Sequence, residues 1–388
     1  MDFRKHKIKN IHHSVTISIP IVIALIIVIS LLFGIVKACM SINISAILTL
    51  AGSDLEEDAY GHTNFLLLGT GGENHDGGNL TDTIIVSSLD HENNIVTMLS
   101  IPRDLYVKDS LVGSSRINEV FVNAKNQYES STKGIEHLKE KVEEIVGMPI
   151  HYWAKVDFQG FKDLIDAIGG IEIYVKEDLY DPYYPKDGTY EFAPFSIKKG
   201  LHEMDGEMTL KYVRSRKTTS DFDRADRQQQ VLNAIKEQAL KEVIFSKSKI
   251  ESILSALKNN IETNIKVKEI LTLGSFASEL SAENISHRLI HDDPTQCGGF
   301  LYTPERQYYQ GMFVLIPAAV PNSTKGEEFL HYYSDLNFNL PEIAQEASTL
   351  HILNGTPAAG TAGEIKQILN RFCFDVERFG NARNQEIS

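Results

Sequence analysis

The stretch Asn64-Phe-Leu-Leu-Leu-Gly69 is the first of three apolar runs, and it is followed by Thr83-Ile-Ile-Val-Ser-Ser-Leu89 and Ile95-Val-Thr-Met-Leu-Ser-Ile101. A glycine-rich segment separates the first two runs, and a turn rich in Asp and Asn separates the last two. Short apolar runs between such turns predict β-strands. Because the runs lack a regular alternation of apolar and polar residues, they predict a sheet that is covered on both faces.

Helical periodicity alternates with further strand-like runs after residue 130. Residues 133–146 place four apolar side chains on one helical stripe, which glycine and proline follow: Ile135, Leu138, Val142 and Ile145, then Gly147 and Pro149. A second strand-helix-strand unit is predicted over 152–158, 159–168 and 171–175, and a long helix over 223–245. Strands that alternate with helices predict an α/β fold with a mixed central sheet and helices on both faces.

Length and composition limit the functions that this chain can have. Its 388 residues suffice for two or three folded units of roughly 100–200 residues each. The 52 acidic residues outnumber the 38 basic ones, so the net charge of −14 would repel a polyphosphate backbone, and no nucleic-acid partner is expected. The three cysteines, Cys39, Cys297 and Cys373, are too scattered for a disulfide framework or a zinc cluster, and we interpret them as structural.

A hydrophobic segment near the start of the chain predicts a membrane anchor. Residues 14–36 contain no ionisable side chain, and a helix of this length, at about 1.5 Å per residue, crosses a hydrocarbon core of roughly 30 Å. Basic residues precede the segment and acidic residues follow it, which predicts a cytoplasmic tail over 1–13, a transmembrane helix over 14–38 and an extracellular remainder. A cleaved signal peptide is the alternative, but its apolar region would be shorter. Because nucleotide triphosphates are scarce outside the membrane, this topology disfavours a kinase or an ATPase.

Four of the twelve arginines fall within fourteen residues: Arg214, Arg216, Arg224 and Arg227. Guanidinium binds phosphate oxygens with a bidentate fork and stays charged, so the cluster predicts a phosphate-binding site. Arg224 and Gln228 are four residues apart and project from one face at the start of the predicted long helix, whose N-terminus also favours anions. A solvated helix face with salt bridges to neighbouring aspartates is the alternative.

Two further segments bring charged residues to the predicted phosphate site. A proline after the third strand delivers Arg103 and Asp104 to the carboxyl edge of the sheet, where ligands of α/β proteins bind. Asp82 follows the glycine-rich segment and precedes a buried strand. A carboxylate among phosphate-binding arginines suits Mg²⁺ or Mn²⁺, because Mg²⁺ takes one or two carboxylates together with phosphate oxygens. A helix or turn cap is the alternative role of Asp82.

Seven motifs together resemble the LytR-CpsA-Psr family, and they occur in the family's order across residues 63–240. They are Phe65-Leu-Leu-Leu-Gly69, Asp82-Thr83, Ser100-Ile-Pro-Arg-Asp104, Phe161-Lys-Asp-Leu-Ile-Asp-Ala-Ile-Gly-Gly170, Leu201-His-Glu-Met-Asp-Gly-Glu207, Tyr212-Val-Arg-Ser-Arg216 and Asp221-Phe-Asp-Arg-Ala-Asp-Arg-Gln228. The resemblance implies a membrane-anchored, extracytoplasmic phosphotransferase. Such an enzyme would use Mg²⁺ to move an anionic glycopolymer, such as teichoic acid or capsule, from a polyprenyl-pyrophosphate carrier to peptidoglycan.

The same resemblance implies roles for individual residues. Asp82 would hold the metal. The implied pyrophosphate contacts are Arg103, Arg116, Arg214, Arg216, Arg224 and Gln228. Arg227 completes the motif and joins this set, while Asp221 joins Arg103 and Asp104 as a catalytic candidate. The identity of the base stays open among Asp82, Asp104 and Asp221.

Two positions depart from the family pattern. The family usually has aspartate where Gly71 stands and arginine where Leu80 stands, so one metal ligand and one phosphate contact are missing. Glu73 or Asp76 in the same loop is a candidate replacement ligand, and a solvated loop carboxylate is the alternative for either. Altered metal geometry and impaired catalysis therefore both stay open.

Three functions are compatible with these residues. The first is the glycopolymer transferase, and the second is a hydrolase that uses the same pyrophosphate substrate with water as the acceptor. The third is a catalytically impaired protein that binds wall polymers or has a regulatory role. The negative charge and the lack of a helix-turn-helix pattern disfavour a transcriptional regulator. The expected partners are the polyprenyl-pyrophosphate-linked glycan, peptidoglycan and membrane lipid.

The remaining segments define the predicted domain organisation. A juxtamembrane stem over 39–62 precedes a catalytic domain over 63–245, and residues 246–345 continue that domain or form an accessory region. Residues 346–388 resemble part of the C-terminal domain that many family members carry. That domain normally contains further strands and helices, so we interpret this segment as truncated or reduced, and as a small αβ packing unit without a site.

Overall fold

The computed structural model describes residues 55–72, 78–185, 191–215, 261–266, 284–318, 326–346 and 348–383, with single positions between 227 and 280. The predicted transmembrane helix lies outside the described residues, as do the cytoplasmic tail and most of the helix predicted over 223–245. Among the residues that are described, no helix is both long enough and apolar enough to cross a membrane.

The described chain alternates strands and helices. In chain order the strands are β1 (His62–Thr70), β2 (Thr81–Asp90), β3 (Ile95–Ile101), β4 (Tyr106–Val107), β5 (Ser115–Arg116), β6 (Tyr152–Asp157), β7 (Ile171–Val175), β8 (Leu179–Asp181), β9 (Phe195–Ile197), β10 (Gly200–Met204), β11 (Ile261–Thr263), β12 (Ile285–Leu289), β13 (Leu301–Tyr302), β14 (Ile316–Pro317), β15 (Thr349–Asn354) and β16 (Asp375–Asn381). The α-helices are α1 (Ile117–Tyr128), α2 (Ser131–Val146), α3 (Phe158–Ala167), α4 (Gly206–Arg214), α5 (Gly326–Asn339), α6 (Pro341–Gln345) and α7 (Thr361–Arg371), and Arg306–Tyr309 forms a 3-10 turn.

Six strands form a mixed central sheet in the order β11-β6-β1-β2-β3-β12. β1 is parallel to β6 and antiparallel to β2, while β3 is antiparallel to β2 and parallel to β12. Every residue of β1 is buried, as expected for a strand covered on both faces. The mixed α/β fold predicted from the sequence is therefore confirmed. β11 and β12 join the sheet from the region over 246–345.

Two apolar cores cover the two faces of this sheet. Leu66 and Leu68 of β1 point into the core that contains α1, α2 and α5. Phe65 and Leu67 point into the opposite core, which contains α3 and α4. Successive residues of a strand face opposite sides, so one apolar run supplies both cores. Each fully buried leucine contributes about 2 kcal/mol of transfer free energy.

The amphipathic helix α2 shows how the local sequence fixes an element. The Ser130 side chain caps its start by accepting a hydrogen bond from the Lys133 N–H, and Gly147 ends it at a φ of 73°. Ile135, Leu138 and Val142 are buried as the periodicity predicts, while Ile145 is only partly buried. The helix begins two residues earlier than predicted, because the serine cap sits at residue 130.

The C-terminal segment packs on the rest of the chain through a disulfide bond. β15, α7 and β16 form a strand-helix-strand unit whose two strands are parallel. Cys373, just after α7, is bonded to Cys297, and the Gly298 N–H donates to the Arg371 carbonyl at 2.8 Å. The buried Tyr333 hydroxyl lies 3.6 Å from both sulfurs, and burial raises its pKa to about 12. Two of the cysteines interpreted as structural are thus paired across 76 residues of sequence.

Asp109 is a buried carboxylate from which we expect an acid-sensitive contribution to the stability of the fold. Its side chain is 1% exposed, contacts His137 at 2.9 Å and accepts hydrogen bonds from the Leu111 and Val112 amides. Burial alone would raise the pKa of Asp109, but the Val112 amide and His137 outweigh burial and lower it. A lowered folded pKa means that this contribution to stability is present above the unfolded pKa of about 4 and is lost as the pH falls through the folded value.

We therefore expect Asp109→Asn to reduce the free energy of unfolding by about 1.5 kcal/mol at pH 7 and by progressively less below pH 4. Urea unfolding at pH 7, 4 and 3 measures this difference. Asp375→Asn, at an exposed strand start, is the control and should change little at any of these pH values. An equal effect of Asp109→Asn at pH 7 and pH 3 would contradict the expectation.

Candidate functional site

Several strand ends meet at one edge of the central sheet. β1, β3 and β6 end there, and the antiparallel β2 begins there at Thr81. Arg103 and Asp104 follow β3 at this edge, and α3 begins at Phe158 directly after β6. The edge therefore collects residues from segments that are far apart in the sequence.

A β-bulge positions Asp82 at this edge. Gly69 pairs with Thr83 and Thr70 pairs with Thr81, so Asp82 is an extra residue without a partner in the ladder. A bulge bends the strand and redirects the side chain of the extra residue. The Asp82 carboxylate, which is 26% exposed, consequently reaches Arg103, whose Nη1 donates to Asp82 Oδ1 at 2.9 Å.

Carboxylates and guanidinium groups alternate along a chain of ion pairs. Arg103 Nε lies 3.6 Å from Asp104 Oδ2, and Arg116 Nη1 lies 3.3 Å from Asp104 Oδ1. Arg116 also donates from Nε to Glu119 Oε1 at 2.9 Å. Burial alone would lower the pKa of Arg116, but Glu119 and Asp104 outweigh it and raise that pKa. Arg116 is therefore held firmly, while the Arg103 side chain is 40% exposed.

Backbone hydrogen bonds fix the segment that carries Arg103. The Asn118 N–H at the start of α1 donates to the Arg103 carbonyl at 3.3 Å, and the Ile117 N–H donates to the Leu105 carbonyl at 2.8 Å. The Thr81 hydroxyl donates to the Asn118 carbonyl at 3.3 Å. These bonds join the start of β2, the end of β3 and the start of α1, so the two charged residues Asp82 and Arg103 have a rigid backbone support.

Arg214 lies at the same edge against aromatic rings. Its guanidinium carbon is 4.2 Å from the ring centre of Phe158 and 5.4 Å from that of Tyr184, and Nη1 donates to the Tyr184 hydroxyl at 3.2 Å. These ring contacts and the hydrogen bond to Tyr184 hold the guanidinium in place. Phe158 is the first residue of α3, so Arg214 lies next to a helix N-terminus, which also favours anions.

Arg227 occupies a different environment. It is 6% exposed, and it donates from Nε to the Tyr212 carbonyl at 3.1 Å and from Nη2 to the Ser215 carbonyl at 2.6 Å. These carbonyls lie on either side of Arg214 in the sequence. The observed contacts of Arg227 therefore brace the end of α4, and its implied pyrophosphate contact stays a prediction.

The other predicted site residues lie outside the described residues. They are Glu73, Asp76, Arg216, Asp221, Arg224 and Gln228. Of the predicted set, the structure brings Asp82, Arg103, Asp104 and Arg116 into one connected group, and it places Arg214 at the same sheet edge.

The structure also shows residues that the sequence analysis did not select. Phe158 and Tyr184 orient Arg214, and Glu119 holds Arg116. Asp157 lies at the end of β6 opposite Thr70, and its side chain faces Gly72. Its Oδ1 accepts the Gly160 N–H at 2.7 Å, which caps α3. The sequence could have identified Glu119, because it lies three residues after Arg116 at a helix start and side chains three apart meet on a helix.

The donor set at this edge fits a magnesium ion that is bound mainly through phosphate. Asp82 Oδ1 is engaged by Arg103, while Oδ2 has no partner among the described residues. Across the described ranges, no group of three His, Cys, Asp or Glu side chains is arranged to hold a metal ion. Because Mg²⁺ binds through one or two carboxylates plus phosphate oxygens and waters, the Asp82 carboxylate is a sufficient protein contribution.

The arrangement is suited to binding a polyphosphate and stabilising charge on it. Arg103 is partly exposed and oriented by two carboxylates, and Arg214 is oriented by two rings. Preorganised guanidinium groups stabilise charge that develops on a leaving phosphate without reorganising during the reaction. Asp104 lies within ion-pair distance of two arginines, which hold its side chain in place and suit it to a positioning role.

Comparisons with known proteins identify the family and several relatives of this chain. The LytR_cpsA_psr family model matches residues 40–312. The polyisoprenyl-teichoic acid–peptidoglycan teichoic acid transferase TagV of Bacillus subtilis (strain 168) is 34% identical over 232 residues, which cover 59% of this chain and 55% of TagV. TagT of the same organism, named for the same activity, is 28% identical over 230 residues, which cover 59% of this chain and 64% of TagT. The chain thus spans less than two thirds of the length of these relatives.

The crystal structure of B. subtilis TagV matches 72% of this chain and 97% of that chain, with 27% identity and a TM-score of 0.48.

Proposed function

This chain belongs to the LytR-CpsA-Psr family, and from that premise we propose that it transfers an anionic glycopolymer from a polyprenyl-pyrophosphate carrier to peptidoglycan. The observation that carries the proposal is the linked group of Asp82, Arg103, Asp104 and Arg116 at the sheet edge that also carries Arg214. TagV and TagT, the relatives named above, are teichoic acid transferases by name. We propose a teichoic-acid-like or capsule-like polymer as the cargo.

The proposed reaction breaks the pyrophosphate bond and forms a phosphodiester. A hydroxyl of a wall sugar attacks the phosphorus nearest the polymer, its proton passes to a base, and polyprenyl phosphate leaves. Arg103 and Arg214 bind the pyrophosphate oxygens and stabilise charge on the leaving phosphate. Asp82 would hold Mg²⁺, which supplies further neutralisation of phosphate charge when bound. The pyrophosphate bond supplies the driving force, so no nucleotide triphosphate is needed.

We propose that the protein is anchored in the cell membrane with its N-terminus in the cytoplasm and its catalytic domain outside. The basic residues before the apolar segment over 14–36 support this orientation. The Cys297–Cys373 disulfide also supports it, because disulfides persist in oxidising compartments outside the cytoplasm. Tethering would keep the site near the polyprenyl carrier, which is itself a membrane lipid.

A reconstituted transfer assay tests the proposal directly. The purified full chain is mixed with a polyprenyl-pyrophosphate-linked sugar and a peptidoglycan oligomer, with and without Mg²⁺. We expect a linked product that depends on both substrates. Free sugar phosphate as the sole product would instead indicate the hydrolase. If the protein bound the lipid donor without turnover, and replacing a site arginine abolished that binding, the result would indicate a wall-polymer-binding protein without catalysis.

Asp82→Asn tests the proposed metal role. The substitution keeps one oxygen for Arg103 but removes the negative charge that favours Mg²⁺, so we expect the Mg²⁺ concentration for half-maximal transfer to rise about 10-fold. Titration of Mg²⁺ at saturating donor measures this shift, and Mg²⁺-dependent quenching of a fluorescent donor analogue reports binding without turnover. Asp292→Asn, outside the site, serves as the control. An unchanged Mg²⁺ midpoint would remove Asp82 from the metal site.

A further inference from the structure

A cavity of about 840 Å³ lies beside the ion-pair group and has no role in the reaction described above. It is bordered by β4, α2, β14 and α5, and by the turn that ends at Tyr309. Its apolar lining includes Leu105, Val107, Ile145 and Leu330. Pockets of this size bind small molecules or short segments of polymers.

The backbone connects this cavity directly to the charged residues of the site. Leu105, which lines the cavity, immediately follows Asp104. The Leu315 N–H donates to the Asp104 carbonyl at 2.9 Å, and the Tyr106 N–H donates to the Leu315 carbonyl at 2.8 Å. Tyr106 also pairs with Arg116 across β4 and β5. A ligand in the cavity would therefore lie against the segment that carries Arg103, Asp104 and Arg116.

The charged side chains around the cavity suit neither part of the donor substrate, which consists of the glycopolymer and the prenyl lipid. Glu144, Glu327 and Glu328 line it, and the lysines of the lining do not outnumber them, so the cavity has no excess of positive charge to attract a polyanionic glycopolymer. Lys108, Lys141 and His331 also line it, and a prenyl tail would have to desolvate these polar groups together with the glutamates. Neither the polymer cargo nor the lipid carrier matches this lining.

An uncharged saccharide matches the same lining. Tyr106 and Tyr309 form an edge-to-face pair with ring centres 4.8 Å apart, and both line the cavity. Aromatic rings and aliphatic side chains can cover the apolar faces of sugar rings. Sugar hydroxyl and acetamido groups are both donors and acceptors of hydrogen bonds, so carboxylate and ammonium groups of either sign can bind them.

We propose that this cavity binds the acceptor, an uncharged strand of N-acetylated sugars, and holds it beside Arg103 and Asp82. The inference rests on the transferase function proposed above and specifies where its second substrate binds. It adds a binding site for the acceptor that is separate from the pyrophosphate site, and it assigns Tyr309 to acceptor binding.

Binding of N-acetylchitotetraose to the full chain in detergent tests this site without any turnover. Tyr309→Ala should weaken saccharide binding at least 10-fold and raise the KM for the acceptor by a similar factor. Tyr308→Ala is the matched control, because Tyr308 is the preceding residue, is 75% exposed and does not line the cavity. It should change binding less than twofold. Glu327→Gln, at an exposed position in the first turn of α5, provides a second variant that should weaken binding without disturbing the fold.

Several results would overturn the inference. These are no saturable saccharide binding, an equal effect of Tyr308→Ala and Tyr309→Ala, or displacement of the saccharide by farnesyl pyrophosphate, which would assign the cavity to the donor lipid. Transfer with an unchanged acceptor KM in Tyr309→Ala would reject the acceptor site and keep the transferase. Saccharide binding in a protein that transfers nothing to any acceptor would reject the transferase and, with it, the acceptor role.

Discussion

Replacing Arg103 with alanine should lower kcat/KM for glycopolymer transfer about 1,000-fold and change the free energy of unfolding by less than about 1 kcal/mol. Arg103 is 40% exposed and pairs with Asp82 at 2.9 Å, so its ion pair adds little to stability. Its guanidinium is one of the groups proposed to stabilise the leaving phosphate. Arg103→Lys should recover only part of the activity, because an ammonium group lacks the bidentate fork.

The control for Arg103→Ala is the replacement of an arginine elsewhere on the surface. Arg378, on the exposed strand β16, is far from the site in sequence and belongs to the C-terminal unit. Arg378→Ala should leave both transfer and stability unchanged. Transfer rates come from the reconstituted assay, and unfolding free energies come from urea denaturation. Full activity in Arg103→Ala would refute the proposed role of the ion-pair group.

The strands and helices that could be predicted are those whose patterns are local. The apolar runs of β1, β2 and β3, and the stripe of Ile135, Leu138 and Val142 in α2, follow from burial within one segment. β12 was not predictable, because Ile285-Ser-His-Arg-Leu289 mixes polar and apolar residues and becomes a strand by pairing with β3. Long-range pairing of this kind leaves little periodicity in the sequence.

The residues of the site could be predicted from the sequence, but the contacts between them could not. The motifs pointed to Asp82 and Arg103 separately, but their ion pair depends on a bulge created by the register between β1 and β2. The ring contacts of Arg214 with Tyr184 depend on packing across 30 residues of sequence. The disulfide could not be predicted either, because the sequence around each cysteine does not specify which cysteine it pairs with.

Arg227 provides the contrasting case, in which an arginine of the predicted site contributes to stability. Arg227→Ala should lower the free energy of unfolding by about 3 kcal/mol, because it leaves the buried carbonyls of Tyr212 and Ser215 without their charged donor. Transfer should fall as well, since the end of α4 carries Arg214. Urea denaturation and the transfer assay measure the two effects on the same preparation.

The pattern across variants separates a bracing role from direct pyrophosphate contact. Arg227→Lys can supply one donor to one carbonyl, so it should recover part of the stability and a matching part of the transfer activity. Gln238→Ala is the control within the same region, because the Gln238 side chain makes one partly exposed hydrogen bond to the Ile168 carbonyl at 3.3 Å, and it should cost less than about 1 kcal/mol. If Arg227→Ala abolished transfer at unchanged stability, Arg227 would contact the pyrophosphate directly, as the family motif implies. Because two buried carbonyls already accept hydrogen bonds from its guanidinium, we expect the loss of stability to come first and the loss of activity to follow from it.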